Sequence, residues 1–161
     1  MAGQRIRDAA EADVPLIATL IRELAEYERL LDSVSMTEER LRSALFGPHR
    51  YAEVAIAEDD KGEPLGFALF FHNFSTFRGL PGIYLEDLFV RPAHRGLGVG
   101  RALLQHLARL TRARNCGRLE WSVLDWNGTA IGFYRRLGAL PNDGWTVYRL
   151  AGEALALLAA S

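Results

Sequence analysis

The sequence predicts a single mixed α/β domain spanning 1–161, and three observations carry that reading. Short runs rich in β-branched and aromatic residues, at 51–57, 65–71, 83–90 and 119–124, are bounded by turn formers, as strands are. Between them lie segments whose apolar residues recur at helical spacing. The order is strand, two helices, strands, helix, strand, helix, strand, which is a mixed α/β order without an internal repeat or linker. At 161 residues the chain can bury one sizeable core.

The elements follow in order. Residues 4–7 form a short first strand. Asp13 is placed as an N-cap, with Pro15 tolerated in the first helical turn. Ile17, Leu20, Ile21, Leu24 and Leu31 make the apolar stripe of the first helix, with Arg22, Glu23, Glu26 and Arg29 toward water and Tyr27 and Glu28 at its end. Thr37 caps a second helix, whose first-turn Glu38 and Glu39 suit the helix dipole, and Gly47-Pro48 stops it. Asp59-Asp60-Lys61-Gly62 joins two strands as a hairpin. A loop over 73–82 leads into the strand 83–90, which Pro92 closes because proline cannot donate to a ladder. Leu103, Leu107 and Leu110 give a long helix its buried side, opposite Arg101, Gln105, Arg109 and Arg112. Asn127 caps the next helix and Gly138 ends it in a left-handed stop. A strand over 145–150 and an Ala/Leu-rich helix over 151–160 complete the chain.

Composition narrows the function. A net charge of −1 gives no general electrostatic attraction to nucleic acid or an anionic membrane. Cys116 is the only cysteine, so no internal disulfide forms, and its polar turn marks it as structural. His49, His72, His94 and His106 lack metal-ligand spacing, so no metal is expected. Met1 to Ala10 lacks a signal-peptide apolar core and no run approaches a membrane span, so a cytoplasmic protein is expected.

The chemistry gathers at Arg95-Gly96-Leu97-Gly98-Val99-Gly100-Arg101, between the apolar strand and the long helix. Glycines let backbone N–H groups approach a ligand, and a helix N-terminus adds unpaired donors and partial positive charge, so the turn suits a phosphate. A P-loop is disfavoured, because Gly100-Arg101-Ala102 lacks its lysine and hydroxyl. A dinucleotide turn fits poorly: its third glycine is one residue early and Arg91 to Arg95 intervene, although Glu120 lies about twenty residues on, where a ribose-binding acid would. From the turn alone, a loop that merely turns tightly also stays open.

Arg95-x-x-Gly98-x-Gly100 in this setting resembles the pyrophosphate loop of the GNAT superfamily of N-acetyltransferases. Tyr84-Leu85-Glu86-Asp87, Trp126-Asn127 and Phe133-Tyr134-Arg135-Arg136 resemble its spermidine/spermine (diamine) and thialysine branch. The resemblance covers nearly the whole chain and is strongest from Tyr84 to Trp145. It implies a curved, mostly antiparallel sheet, splayed at its middle and flanked by helices. It also implies acetyl-CoA as cosubstrate, a small amine acceptor and a homodimer.

Acetyl transfer to an amine needs a base for the ammonium, donors for the oxyanion and a proton for the departing thiolate. Glu86 and Asp87 are adjacent acids in an apolar strand, so one of them faces packed protein or a pocket. That reading leaves open a salt-bridged acid at a helix–sheet seam. The resemblance makes Glu86 the base, acting through water, and leaves Asp87 structural. It makes Tyr134 the acid for the sulfur, whereas by spacing alone Tyr134 is a half-buried core residue. It assigns the acetyl-pantetheine arm to Leu88, Phe89 and Val90, and the pyrophosphate to Arg95, Gly96, Gly98, Val99, Gly100 and Arg101. It lines the same cleft with Asn127, Ala130, Tyr134 and Arg136. For a cationic acceptor it points to Tyr27, Glu28, Glu86, Glu120 and Asp143. Asp143 replaces a glutamate of the family pattern in a shorter loop. One methylene moves a carboxylate by about 1.5 Å, so the acceptor stays open. The competing readings are acetylation of a protein N-terminus or an antibiotic amine, and a non-catalytic acyl-CoA sensor.

Overall fold

The computed structural model describes residues 3–161. Its contacts form two compact units that meet in sequence between Leu124 and Asp125. The first holds one sheet of five strands in the order β1-β2-β3-β4-β5: Gln4–Asp8, Glu53–Asp59, Pro64–Ser75, Leu80–Val90 and Leu119–Trp121. Successive strands pair antiparallel except β4 and β5, which are parallel. Three α-helices accompany the sheet: α1 (Val14–Tyr27), α2 (Glu38–Phe46) and α3 (Val99–Ala113). No helix among the described residues is long and apolar enough to cross a membrane.

Periodicity decides what each face buries. α1 places Val14, Ile17, Ala18, Leu20 and Leu24 inside, and with Leu41 and Leu45 of α2 they pack on Val54, Ile56, Phe67 and Phe89 of the sheet. Alternation along each strand sends Ala55, Ala68, Phe70, Ile83 and Leu85 to the opposite face, which α3 covers with Val99, Leu103, Leu104 and Leu107. Gly66 holds β3 tight against β4, because a Cβ there would lie 2.3 Å from the Phe89 carbonyl oxygen.

Local chemistry explains most ends. Thr37 Oγ1 accepts from the Arg40 N–H at 3.1 Å and starts α2. Asp59 Oδ1 accepts from Lys61 and Glu63 N–H, and Gly62 takes a φ of +82° to close the hairpin. Asp13 precedes α1 but does not cap it. A 3-10 turn over Glu11–Asp13 runs straight into the helix, and the Asp13 carboxylate instead accepts from both terminal nitrogens of Arg7, at 2.8 and 2.9 Å, and from the Ala10 N–H at 2.7 Å. Leu31 leaves the stripe expected of it and is exposed in a second 3-10 turn. Buried Glu58 of β2 is matched by Arg5 and Arg7, which hold its carboxyl below the usual range.

The second unit contains α4 (Gly128–Arg136) and α5 (Gly152–Ala159). Asn127 Oδ1 accepts from the Ala130 N–H at 3.2 Å. Gly138, at φ +88°, closes α4: its N–H reaches the Arg135 carbonyl and the Ala139 N–H reaches that of Tyr134. The strand expected over 145–150 does not form. Its pattern suits a ladder, but a ladder needs a neighbour and this unit has only helices. The strand expected over 119–124 pairs only as Leu119–Trp121.

Phe67 is fully buried where α1, α2 and the sheet meet. Replacing it with alanine is expected to lower the unfolding free energy by about 3–5 kcal/mol, read from urea denaturation.

Candidate active site

β4 has a strand on both sides only as far as Leu85. Beyond the pairs Ile83↔Leu119, Tyr84↔Glu120 and Leu85↔Trp121, β5 ends, while β4 continues beside β3 to Val90. Leu88, Phe89 and Val90 therefore lie on a strand with one open edge, which leads into the glycine turn.

A bulge sits at the same place. β3 and β4 pair Phe70 with Leu85 and then Leu69 with Asp87, so Glu86 is the extra residue. Leu85 shares the α3 face with Phe70. Past the bulge, Asp87 shares the α1 face with Leu69 and Phe89. Glu86 is exposed and Asp87 is half-buried.

The turn fulfils its sequence pattern. Gly96 and Gly98 take φ of +77° and +85°, left-handed values that side chains resist, and Gly98 is the residue from which α3 starts. Val99, Gly100 and Arg101 open the helix, where first-turn N–H groups have no carbonyl partner inside the helix. Gln4 Nε2 donates to the Leu97 carbonyl at 2.7 Å, tying β1 to the turn. The Arg95 guanidinium turns back: Nε donates to the Val90 carbonyl at 2.9 Å, and the group lies over Tyr27 at 4.3 Å and Phe89 at 5.6 Å. Arg91, which the sequence reading passed over, forms a two-pronged pair with Glu23 of α1 at 3.0 Å each, so Glu23 does not simply face water. The only sequence sign of this clasp is an arginine at the strand end, with nothing to name its partner.

The acids are distributed unevenly. Glu28 is half-buried at the end of α1, and burial, then the charge of Glu86, raises its pKa. Asp87 is pushed up to about 7, first by burial and then by the charges of Glu86 and Glu28. Glu120 is already engaged by Arg118 Nε at 2.8 Å and Asn73 Nδ2 at 3.2 Å. The first unit thus brings Tyr27, Glu28, Glu86 and Asp87 together near Arg95. In the second unit, Asn127 and Ala130 open α4. Tyr134 is half-buried on that helix beside Phe133, their ring centroids 5.6 Å apart, and Arg136 is exposed at the end of α4. Asp143 is exposed in the irregular segment before α5. Among the described residues no group of three His, Cys, Asp or Glu side chains could hold a metal.

The sheet order, the strand open from Glu86 onward and the left-handed glycines opening α3 agree with a family comparison: residues 17–139 match the acetyltransferase (GNAT) family. The chain belongs to that family. It is 40% identical to a thialysine N-epsilon-acetyltransferase of Bos taurus over 99% of both chains. It is 32% identical to an L-ornithine N5-acetyltransferase of Arabidopsis thaliana over 94% of this chain and 86% of that one. An integron cassette protein from the mobile metagenome of V. cholerae superposes with a TM-score of 0.82 at 30% identity, covering 100% of this chain and 99% of that one. The protein is an acetyltransferase of mixed α/β fold with a mostly antiparallel, open sheet.

The Asp87 carboxyl sets a pH dependence of stability. It holds its proton more tightly folded than unfolded, so its favourable contribution is full below about pH 4 and is lost as pH rises through about 7. An Asp87→Asn protein is expected to be more stable than wild type at pH 8, by on the order of a few kcal/mol, and to lose that advantage at pH 4. Thermal unfolding at both pH values reads the difference.

Proposed function

We propose that the enzyme transfers the acetyl group of acetyl-CoA directly to a primary amine of a small cationic acceptor, with thialysine, diamines and polyamines as the leading class. One observation carries the coenzyme side: the open edge of β4 runs from Glu86 into a turn whose glycines and helix N-terminus suit a diphosphate. The acceptor side is supported by the acids on the α1 face and by full-length likeness to enzymes named for thialysine and ornithine.

In this reading Gly96, Gly98, Val99, Gly100 and Arg101 hold the diphosphate. The backbone of Leu88 to Val90 pairs with the pantetheine arm, and the family resemblance gives Asn127, Ala130 and Arg136 coenzyme contacts as well. Tyr27 and Glu28 hold the acceptor, and the family resemblance gives Glu120 and Asp143 acceptor contacts as well. Glu86, open to water, receives the ammonium and draws off its proton, because only the free amine has a lone pair for the thioester carbonyl. Tyr134 supplies a proton to the departing sulfur, which a phenol can do while neutral at pH 7. Acetyl-CoA supplies the acyl group, and the chain's own residues bind, orient and move protons.

Free-thiol release from acetyl-CoA, measured across thialysine, ornithine, diamines, polyamines and peptides, tests this. The expected result is turnover with the small cations. Coenzyme binding without thiol release in any mixture would sink the enzyme reading, and turnover confined to peptides would sink the acceptor class. Tyr134→Phe is expected to lower kcat by about 10²-fold or more with little change in acetyl-CoA affinity. An equal loss of both would make Tyr134 a packing residue.

The enzyme is further proposed to be a homodimer. Trp145, Val147 and Tyr148 are 79%, 88% and 93% exposed, an apolar stretch unusual for a surface left to water. Light scattering after size exclusion should give twice the 17.9 kDa chain mass. Arg in place of Val147 and Tyr148 together should shift the protein toward monomer.

A further inference from the structure

We propose that Asp87 is where the acceptor's proton comes to rest, with Glu86 passing it inward from the amine. The inference rests on the amine-acetylation reading and deepens it, since that reading gives proton removal to Glu86 and leaves Asp87 as structure.

The bulge provides the geometry. Without the extra residue at Glu86, Asp87 would keep the phase of Leu85 and face α3. With it, Asp87 lies on the α1 face between Leu69, its partner across the ladder, and Phe89, two residues on. The Phe89 ring meets the Tyr27 ring at 6.5 Å, so this face looks onto the end of α1, where the acceptor residues lie.

A structural carboxylate in such a place needs a cation or hydrogen-bond donors, because burial without them is costly. Glu58 shows that solution elsewhere in this fold, held by Arg5 and Arg7. Asp87 has nothing comparable: among the described residues no hydrogen bond or ion pair reaches its carboxylate. The groups acting on it are Glu86 on its own strand and Glu28 from α1, both negative, while β3 presents Leu69. Arg95, the nearby cation, is committed to the Val90 carbonyl and the Tyr27 ring. As structure this arrangement is unfavourable. As a proton acceptor working near neutral pH it is well matched, and its raised pKa of about 7 agrees.

The proton balance is simple. The ammonium loses one proton through Glu86 to the Asp87 carboxylate, which becomes the neutral acid. The free amine forms the C–N bond and the C–S bond breaks. Tyr134 gives its proton to the departing thiolate and is restored by the second nitrogen proton, giving amide and free thiol. Asp87 returns its proton to water before the next cycle.

The test measures kcat/KM against pH for one amine, corrected for its free-base fraction, in wild type, Asp87→Asn, Asp87→Glu and Glu86→Gln. Carbon-13 carboxyl spectra follow the titration in the wild-type protein. The expected wild-type profile falls below about pH 7, matched by a carboxyl resonance titrating there that Asp87→Asn removes. Asp87→Asn should lose the acid limb and about 10²-fold or more in kcat/KM at pH 7.5, and Asp87→Glu should keep a limb. Glu86→Gln should keep the limb but move it to lower pH, because a like charge is gone. A wild-type limb that persists in Asp87→Asn, or a carboxyl that finishes titrating below pH 6, overturns the inference while leaving amine acetylation intact. A wild type that acetylates no amine overturns the reading beneath it.

Discussion

The structure depends on where β4 loses its second neighbour. A strand in mid-sheet must satisfy its backbone on both sides, and β4 does so only up to Leu85. From there no strand of the sheet pairs with its outer edge, and at the same point the bulge changes which face its side chains occupy. The open edge and the bulge work as one device. The first leaves a strand edge without a neighbouring strand, and the second sets two carboxylates near it in unlike surroundings, one wet and one half-buried.

Packing holds that device in place. Gly66 lets β3 approach the Phe89–Val90 backbone without a side chain between them. Phe67 and Phe89 pair across the same strands and reach into the cluster formed by α1 and α2. The apolar core is thus continuous with the strand that carries the site, so core defects should reach the chemistry.

Much of this was legible in the sequence, where a local rule sufficed. Thr37, Asn127 and Gly138 announce helix ends because capping needs only neighbours in the chain. Gly96 and Gly98 announce the turn, since left-handed backbone favours glycine. Features set by a distant partner were not legible. The bulge depends on the register of β3, Arg91 finds Glu23 across 68 residues, and Asp13 is taken by Arg7 instead of capping its helix. Residues 145–150 carry a strand pattern with no strand beside them in their unit, which pattern alone could not reveal. Motif named the candidate site residues, but the difference between Glu86 and Asp87 arises from burial and appears only in three dimensions.

Two arginines leave the β4–turn junction and both land on α1: Arg91 on Glu23, and Arg95 on the ring of Tyr27. Helix and turn are therefore fastened at two points, one ionic and one aromatic, about a helical turn apart. A pull on the turn is felt by the helix end that carries Tyr27 and Glu28. The glycine turn and the helix end that carries the acids are thus tied together, and salt, which weakens the ionic fastening more than the aromatic one, would loosen the tie from the Glu23 side first.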